Sequence, residues 1–77
     1  MNPLDSIEKA IEWADNRAKT YSNGQSFCVC KWNEGYIVHN SNFVKEHYQE
    51  YELGEVVHCT DAYVFEQINA LIRISKI

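Results

Sequence analysis

Residues 26–40 read SFCVCKWNEGYIVHN, and the fold turns on how they are taken. Two runs rich in aromatic and β-branched side chains, 25–32 and 35–41, flank Asn33, Glu34 and Gly35, which is the composition of a hairpin. The expected connection is a three-residue loop, with a type I turn at Asn33–Glu34 and Gly35 at the positive-φ position after it. That loop sets a register in which Trp32 faces Tyr36, Cys30 faces Val38 and Cys28 faces Asn40. Phe27, Val29, Lys31, Ile37 and His39 then share the other face. Both faces are partly apolar, so one covers a core and the other is half-wetted or a contact surface.

On the N-terminal side, residues 3–22 carry Leu4, Ile7, Ile11, Ala14, Ala18 and Tyr21 at three- and four-residue steps, the stripe of an amphipathic helix. Asn2 suits the N-cap and Pro3 the first helical position, and Asn23–Gly24 supplies a left-handed stop. Asp5 and Glu8 sit near the positive end of the helix dipole. Trp13 lies off the stripe, near its edge.

On the C-terminal side, residues 42–54 admit a short helix capped by Ser41 or Asn42 and a loop ending at Gly54. Residues 55–60, EVVHCT, read as a third strand through the β-branched pair Val56–Val57. Thr60 or Asp61 then caps a helix over 61–76. Val64, Phe65, Ile68, Leu71 and Ile72 form its core stripe. Tyr63, Ala70, Ile74 and Ile77 gather on nearly the opposite side, which leaves room for a homodimer or partner interface there.

The expected fold is therefore α+β, in the order α-β-β-β-α. A three-stranded antiparallel sheet would carry both helices packed on one face, with a short helix possible within 42–54. The whole chain of 77 residues makes one small domain over 1–77. The element order is similar to that of the double-stranded RNA-binding domain, which grips phosphates with a basic cluster at the start of its last helix. Here that position, residues 60–67, reads TDAYVFEQ, with two acids and no base.

Charge argues the same way. The net charge is −4, and Glu46, Glu50, Glu52, Glu55, Asp61 and Glu66 fall in a stretch free of lysine and arginine. A nucleic-acid binder neutralises phosphates with Lys and Arg, so direct DNA or RNA binding is not expected. No apolar run reaches the roughly 18 residues of a membrane span, and acids punctuate residues 1–25 where a signal peptide would lie. The cytoplasm is the default expectation, and three cysteines there are expected as free thiols.

Cys28, Cys30, His39, His58 and Cys59 are all chemically able to bind zinc. Their spacing argues against it. Structural sites pair ligands as C-x₂₋₄-C on a turn, whereas a Cys-x-Cys strand holds its thiols about 7 Å apart. His39 should leave the opposite strand face from the cysteines, and His58 and Cys59, being adjacent, point opposite ways. The cysteines read as small core hydrophobes, with no metal and no cofactor. Nucleophilic catalysis needs a base and an electropositive setting, and mid-strand thiols among acids offer neither. No phosphate loop or nucleophile elbow appears. An enzyme is not expected.

Five tyrosines, two tryptophans and three phenylalanines exceed what so small a core needs. Trp13, Trp32, Tyr36, Tyr48 and Tyr51 fall outside the clearest core stripes, and Glu50, Glu52 and Glu55 alternate with the last two. Tyr and Trp are enriched at protein interfaces. These eight residues are the expected contact surface for a protein partner of basic character. The function expected is that of a small inhibitor or adaptor of the phage or mobile-element type. The alternative is a metal- or thiol-dependent regulatory module built on the Cys/His set.

Overall fold

The computed structural model describes residues 6–20 and 24–77. Its elements are α1 (Ile7–Thr20), β1 (Phe27–Trp32), β2 (Gly35–Asn40), α2 (Ser41–Glu46), a 3-10 turn (Tyr48–Glu50), β3 (Val56–Cys59) and α3 (Ala62–Ser75). The α+β class, the element order and the single antiparallel sheet are those the sequence implies. The expected caps at Asn2 and Pro3, the helix residues Leu4 and Tyr21, and Asn23 lie outside the described residues. Gly24, beside them, takes φ +76.

Strand order is β2-β1-β3, so β1 is central and both neighbours run antiparallel to it. Phe27, Cys28, Val29 and Cys30 are all buried, which a strand achieves only when both sheet faces are covered. Cys28 and Cys30 pack with Val44 of α2, Val56 and Cys59 of β3, and Ile68 and Ile72 of α3. Phe27 and Val29 pack with Val38 of β2 and Ala10 and Ala14 of α1. Because successive strand side chains alternate, these are opposite faces. The terminal helices are therefore not together on one face as expected: α1 covers one face, and α2 with α3 covers the other. The reason lies in β1, whose apolar run is continuous rather than alternating.

The hairpin is also one residue tighter than expected. Trp32 pairs with Gly35, Cys30 with Ile37 and Cys28 with His39. Asn33 and Glu34 alone form the loop, and the positive φ falls on Asn33, at 53°, rather than on Gly35. Asparagine tolerates that region better than most residues. A slip of one residue transfers every side chain of β2 to the other face. Ile37 and His39 thus join the cysteine face, while Tyr36, Val38 and Asn40 join the α1 face.

Local capping follows the chemistry of short polar side chains. The Asp61 carboxylate accepts from the backbone N–H of Tyr63 at 2.9 Å and of Val64 at 3.3 Å, capping α3. Thr60 is left to stitch β3 to β1: its N–H donates to the Phe27 carbonyl at 2.9 Å and its hydroxyl accepts from the Phe27 N–H at 3.1 Å. The cap of α2 is Asn40, one residue before those expected, accepting from the Asn42 N–H at 2.8 Å. Ser41 can then turn inward, where its buried hydroxyl is hydrogen-bonded to that of Ser26 at 2.6 Å. On α1 the buried contacts come from Ala10 and Ala14, while Ile7, expected on the core stripe, is exposed. Small side chains there let the helix lie close to the sheet.

Candidate binding surface

The segment from α2 to β3 carries the expected acids and tyrosines, and folding separates them. Tyr48 and Tyr51 are half-buried and pack against the core on the α3 side. Glu46, Glu50 and Glu52 stay exposed, so the aromatic rings anchor the segment and the carboxylates face water. Glu50 reaches back to His47, with Oε1 3.1 Å from Nδ1. Glu55 differs from the others. Its carboxylate accepts from the Glu52 N–H at 3.0 Å, and its carbonyl accepts from the Lys31 N–H at 2.6 Å. It closes the loop onto β1 and is half-buried. Gly54 makes that closure possible by adopting φ +94, which a side chain would oppose.

Burial has a chemical consequence at the foot of this segment. The Cys30 thiol is pushed up to about 12 by burial, with the Glu55 charge adding to it. The Tyr51 phenol also rises to about 12, again by burial first, then through Cys30, Glu50 and Glu55. Both groups are held neutral across the physiological range, so neither is an activated nucleophile. Cys30 is the free cysteine and is buried.

The eight residues expected to meet a partner do not form one patch. Trp13 and Tyr36 pack on the α1 face. Tyr48, Glu50, Tyr51, Glu52 and Glu55 belong to the segment on the other side, and strand alternation gives Trp32 the same face as Cys30. Trp32 is 47% exposed at the hairpin end. Nearby, an open groove of about 440 Å³ runs between the hairpin tip and the closing loop, lined by Lys31, Asn33, Glu52, Leu53, Gly54 and Glu55. Leu53, 52% exposed, was not singled out by sequence. Only its place between Glu52 and a turning glycine could have marked it. Phe43 was missed as well. It is exposed, stacks on His39 with ring centroids 4.7 Å apart and lies tilted against His47 at 4.5 Å.

The expectation of three free thiols does not hold. Cys28 and Cys59, directly opposed across β1 and β3, form a disulfide. His39 lies on the cysteine face after all, because of the tighter hairpin, but its ring stacks on Phe43, and burial lowers its pKa. His58 pairs with Val29 and so faces α1, where its Nε2 lies 3.8 Å from the Asp15 carboxylate. Among the described residues, no group of three His, Cys, Asp or Glu side chains could hold a metal ion. The metal form of the regulatory alternative has no site.

On α3, Ile68 and Ile72 are fully buried, and Tyr63, Ala70, Ile74 and Ile77 are exposed. Ala70 and Ile74 line an open groove of about 320 Å³ with Lys45, Gln67 and Leu71. No helix among the described residues is long and apolar enough to cross a membrane. Comparison of the chain with protein-family models, curated proteins and solved structures gives no match.

Proposed function

We propose that this protein works without catalysis, by binding another protein of basic character as an inhibitor or adaptor of the phage or mobile-element type. One observation carries the reading: between α2 and β3 the tyrosines turn to the core and Glu46, Glu50 and Glu52 are left facing solvent. Exposed Leu53 adds apolar area beside Glu52, and Trp32 is exposed on the same sheet face. Opposed charges steer association and set its rate, while apolar anchors slow dissociation. In this reading the partner is a protein and the acidic surface takes no nucleic acid directly. Binding to the immobilised chain from its source lysate, with and without Glu50→Lys plus Glu52→Lys, identifies and tests the partner. The double reversal and added salt should each slow association of the captured protein. An association rate indifferent to both rules the acidic surface out.

A second reading, thiol-dependent regulation, is favoured by the Cys28–Cys59 bond between the central strand and β3. The compartment proposed is the cytoplasm, where the thiol pool opposes disulfides, so that bond would be under reducing pressure. Equal partner affinity for the oxidised and reduced protein excludes this reading and leaves the first intact.

A further inference from the structure

The sheet has two edges, and they are guarded differently. β3 is four residues long, and its pairing with β1 is broken by an irregularity between Val29 and Cys30. Shortness and bulges are devices by which proteins keep an edge from pairing with another chain. β2 is six residues long, pairs with β1 in unbroken register, and reads GYIVHN, with no formal charge and no proline. It has none of those guards.

The hydrogen-bond phase shows which groups the edge offers. Ser41 N–H donates to the Ser26 carbonyl at 3.0 Å, so this is a bonded pair at the end of the hairpin ladder. Bonded pairs alternate along antiparallel strands, so Gly35, Ile37 and His39 bond to β1. Tyr36 and Val38 point their N–H and C=O groups away from it, and Asn40 its N–H, where no strand among the described residues pairs with them; the Asn40 carbonyl, at the N-cap of α2, also accepts that helix's first bond. The bonds from Lys31 to Glu55 and from Thr60 to Phe27 agree with this phase, because they show Phe27 and Lys31 facing β3.

Beside the C-terminal half of this edge is an open cleft of about 400 Å³, lined in part by Arg17, Gln25, Val38, His39, Asn40 and Phe43. Among the described residues its lining includes the Arg17 guanidinium, which also lies 4.7 Å over the Trp13 ring, and no carboxylate. At the other end of the edge stands exposed Glu34. We propose that β2 is a docking edge for a second copy of this chain, paired antiparallel about a two-fold axis. Aligning the outward groups places Val38 opposite the partner subunit's Val38 and Tyr36 opposite the partner subunit's Asn40. Each Glu34 then approaches the other chain's Arg17 cleft. The strand thereby complements its own inverse, which a two-fold interface requires. It also sets no like charges face to face in a protein of net charge −4. The result is a closed dimer with one six-stranded sheet, ending on the two guarded β3 edges.

Light scattering coupled to size exclusion, from low to high micromolar concentration, tests this. The mass should rise from 9.0 kDa towards twice that value, and a protein that stays at 9.0 kDa overturns the proposal. Chemical synthesis with the Val38 nitrogen methylated removes one outward N–H while keeping the side chain and the β1 ladder. This protein should stay folded by circular dichroism and remain monomeric. Glu34→Arg removes both symmetry-related pairs and should weaken the dimer by about two- to thirtyfold, the range of two exposed ion pairs. A dimer indifferent to both changes overturns the proposal. If Ile74→Glu with Ile77→Glu then breaks that dimer, the interface belongs to the outer side of α3.

Discussion

The two faces of the sheet are built from opposite materials. On the α1 face the fully buried helix residues are Ala10 and Ala14, with Ile11 and Trp13 partly buried beside them, and the strands supply the buried bulk through Phe27, Val29 and Val38. On the α3 face the helix supplies the bulk, Ile68 and Ile72, and the central strand contributes cysteines. The first face is a close approach of backbones. The second is a filled gap, floored by a disulfide between neighbouring strands and roofed by the acidic segment. The two faces should therefore fail in opposite ways when side-chain volume is changed.

The largest loss is expected from emptying the α3 face. Ile68→Ala should destabilise the protein by about 2–5 kcal/mol, because a fully buried side chain leaves a cavity that neighbours only partly fill. Urea unfolding measures it. A loss below about 1 kcal/mol would mean that this face collapses freely, and the contrast between the faces would fail.

Opening the Cys28–Cys59 bond comes next. Its partners are 31 residues apart in sequence. A loop of that order corresponds to about 3–4 kcal/mol of restricted unfolded-state entropy. Reduced protein, or the Cys28→Ser, Cys59→Ser pair, should melt well below the oxidised form. Equal melting of oxidised and reduced chains would show that strand pairing alone holds β3.

The α1 face should resist enlargement instead. Ala14→Leu inserts volume where the helix lies on the sheet and should cost about 1–3 kcal/mol. The same substitution at Ala70, exposed on α3, should change stability by no more than about 0.5 kcal/mol. Equal effects at the two sites would sink the claim that α1 is held by small residues.

The smallest effect near neutral pH is electrostatic and confined to the α3 face. Cys30 and Tyr51 titrate near 12 in the folded state, above their ordinary values of 9.0 and 10.0. The native state therefore keeps protons that the unfolded chain releases. Stability from these groups is full well below pH 9 and is lost as pH rises from there towards 12, at up to about 1.4 kcal/mol per pH unit for buried Cys30 and by less for half-buried Tyr51, where solvent screens the charge. Cys30→Ala should flatten the part of that decline that begins near pH 9, and Tyr51→Phe the part that begins near pH 10. Denaturant melts between pH 8 and 11 distinguish them.

Several features are legible in the sequence alone. The helical stripe around Ala14, the punctuation at Asn33–Glu34, the paired Val56–Val57 and the cap before Ala62 are signals carried within a few residues, and each element formed where its signal lay. The acidic run from Glu46 to Glu66 is likewise a property of the chain. Side-chain period also marked Ile68 and Ile72 as core. These readings depend on neighbours in sequence, which the chain states directly.

Folding alone set the partners that are distant in sequence. A loop of two residues rather than three moved Ile37 and His39 to the cysteine face, because the period of a strand is two and a single step inverts it. The continuous burial of Phe27 to Cys30 required a cover on each side, so α1 and α3 parted to opposite faces. Pairing of β3 with β1 rather than β2 brought Cys59 to Cys28, which no spacing of three cysteines could foretell. The same folding divided the aromatic residues, taking Trp13 and Tyr36 to one side and Trp32, Tyr48 and Tyr51 to the other. Composition counts those rings, but only packing assigns each one a face.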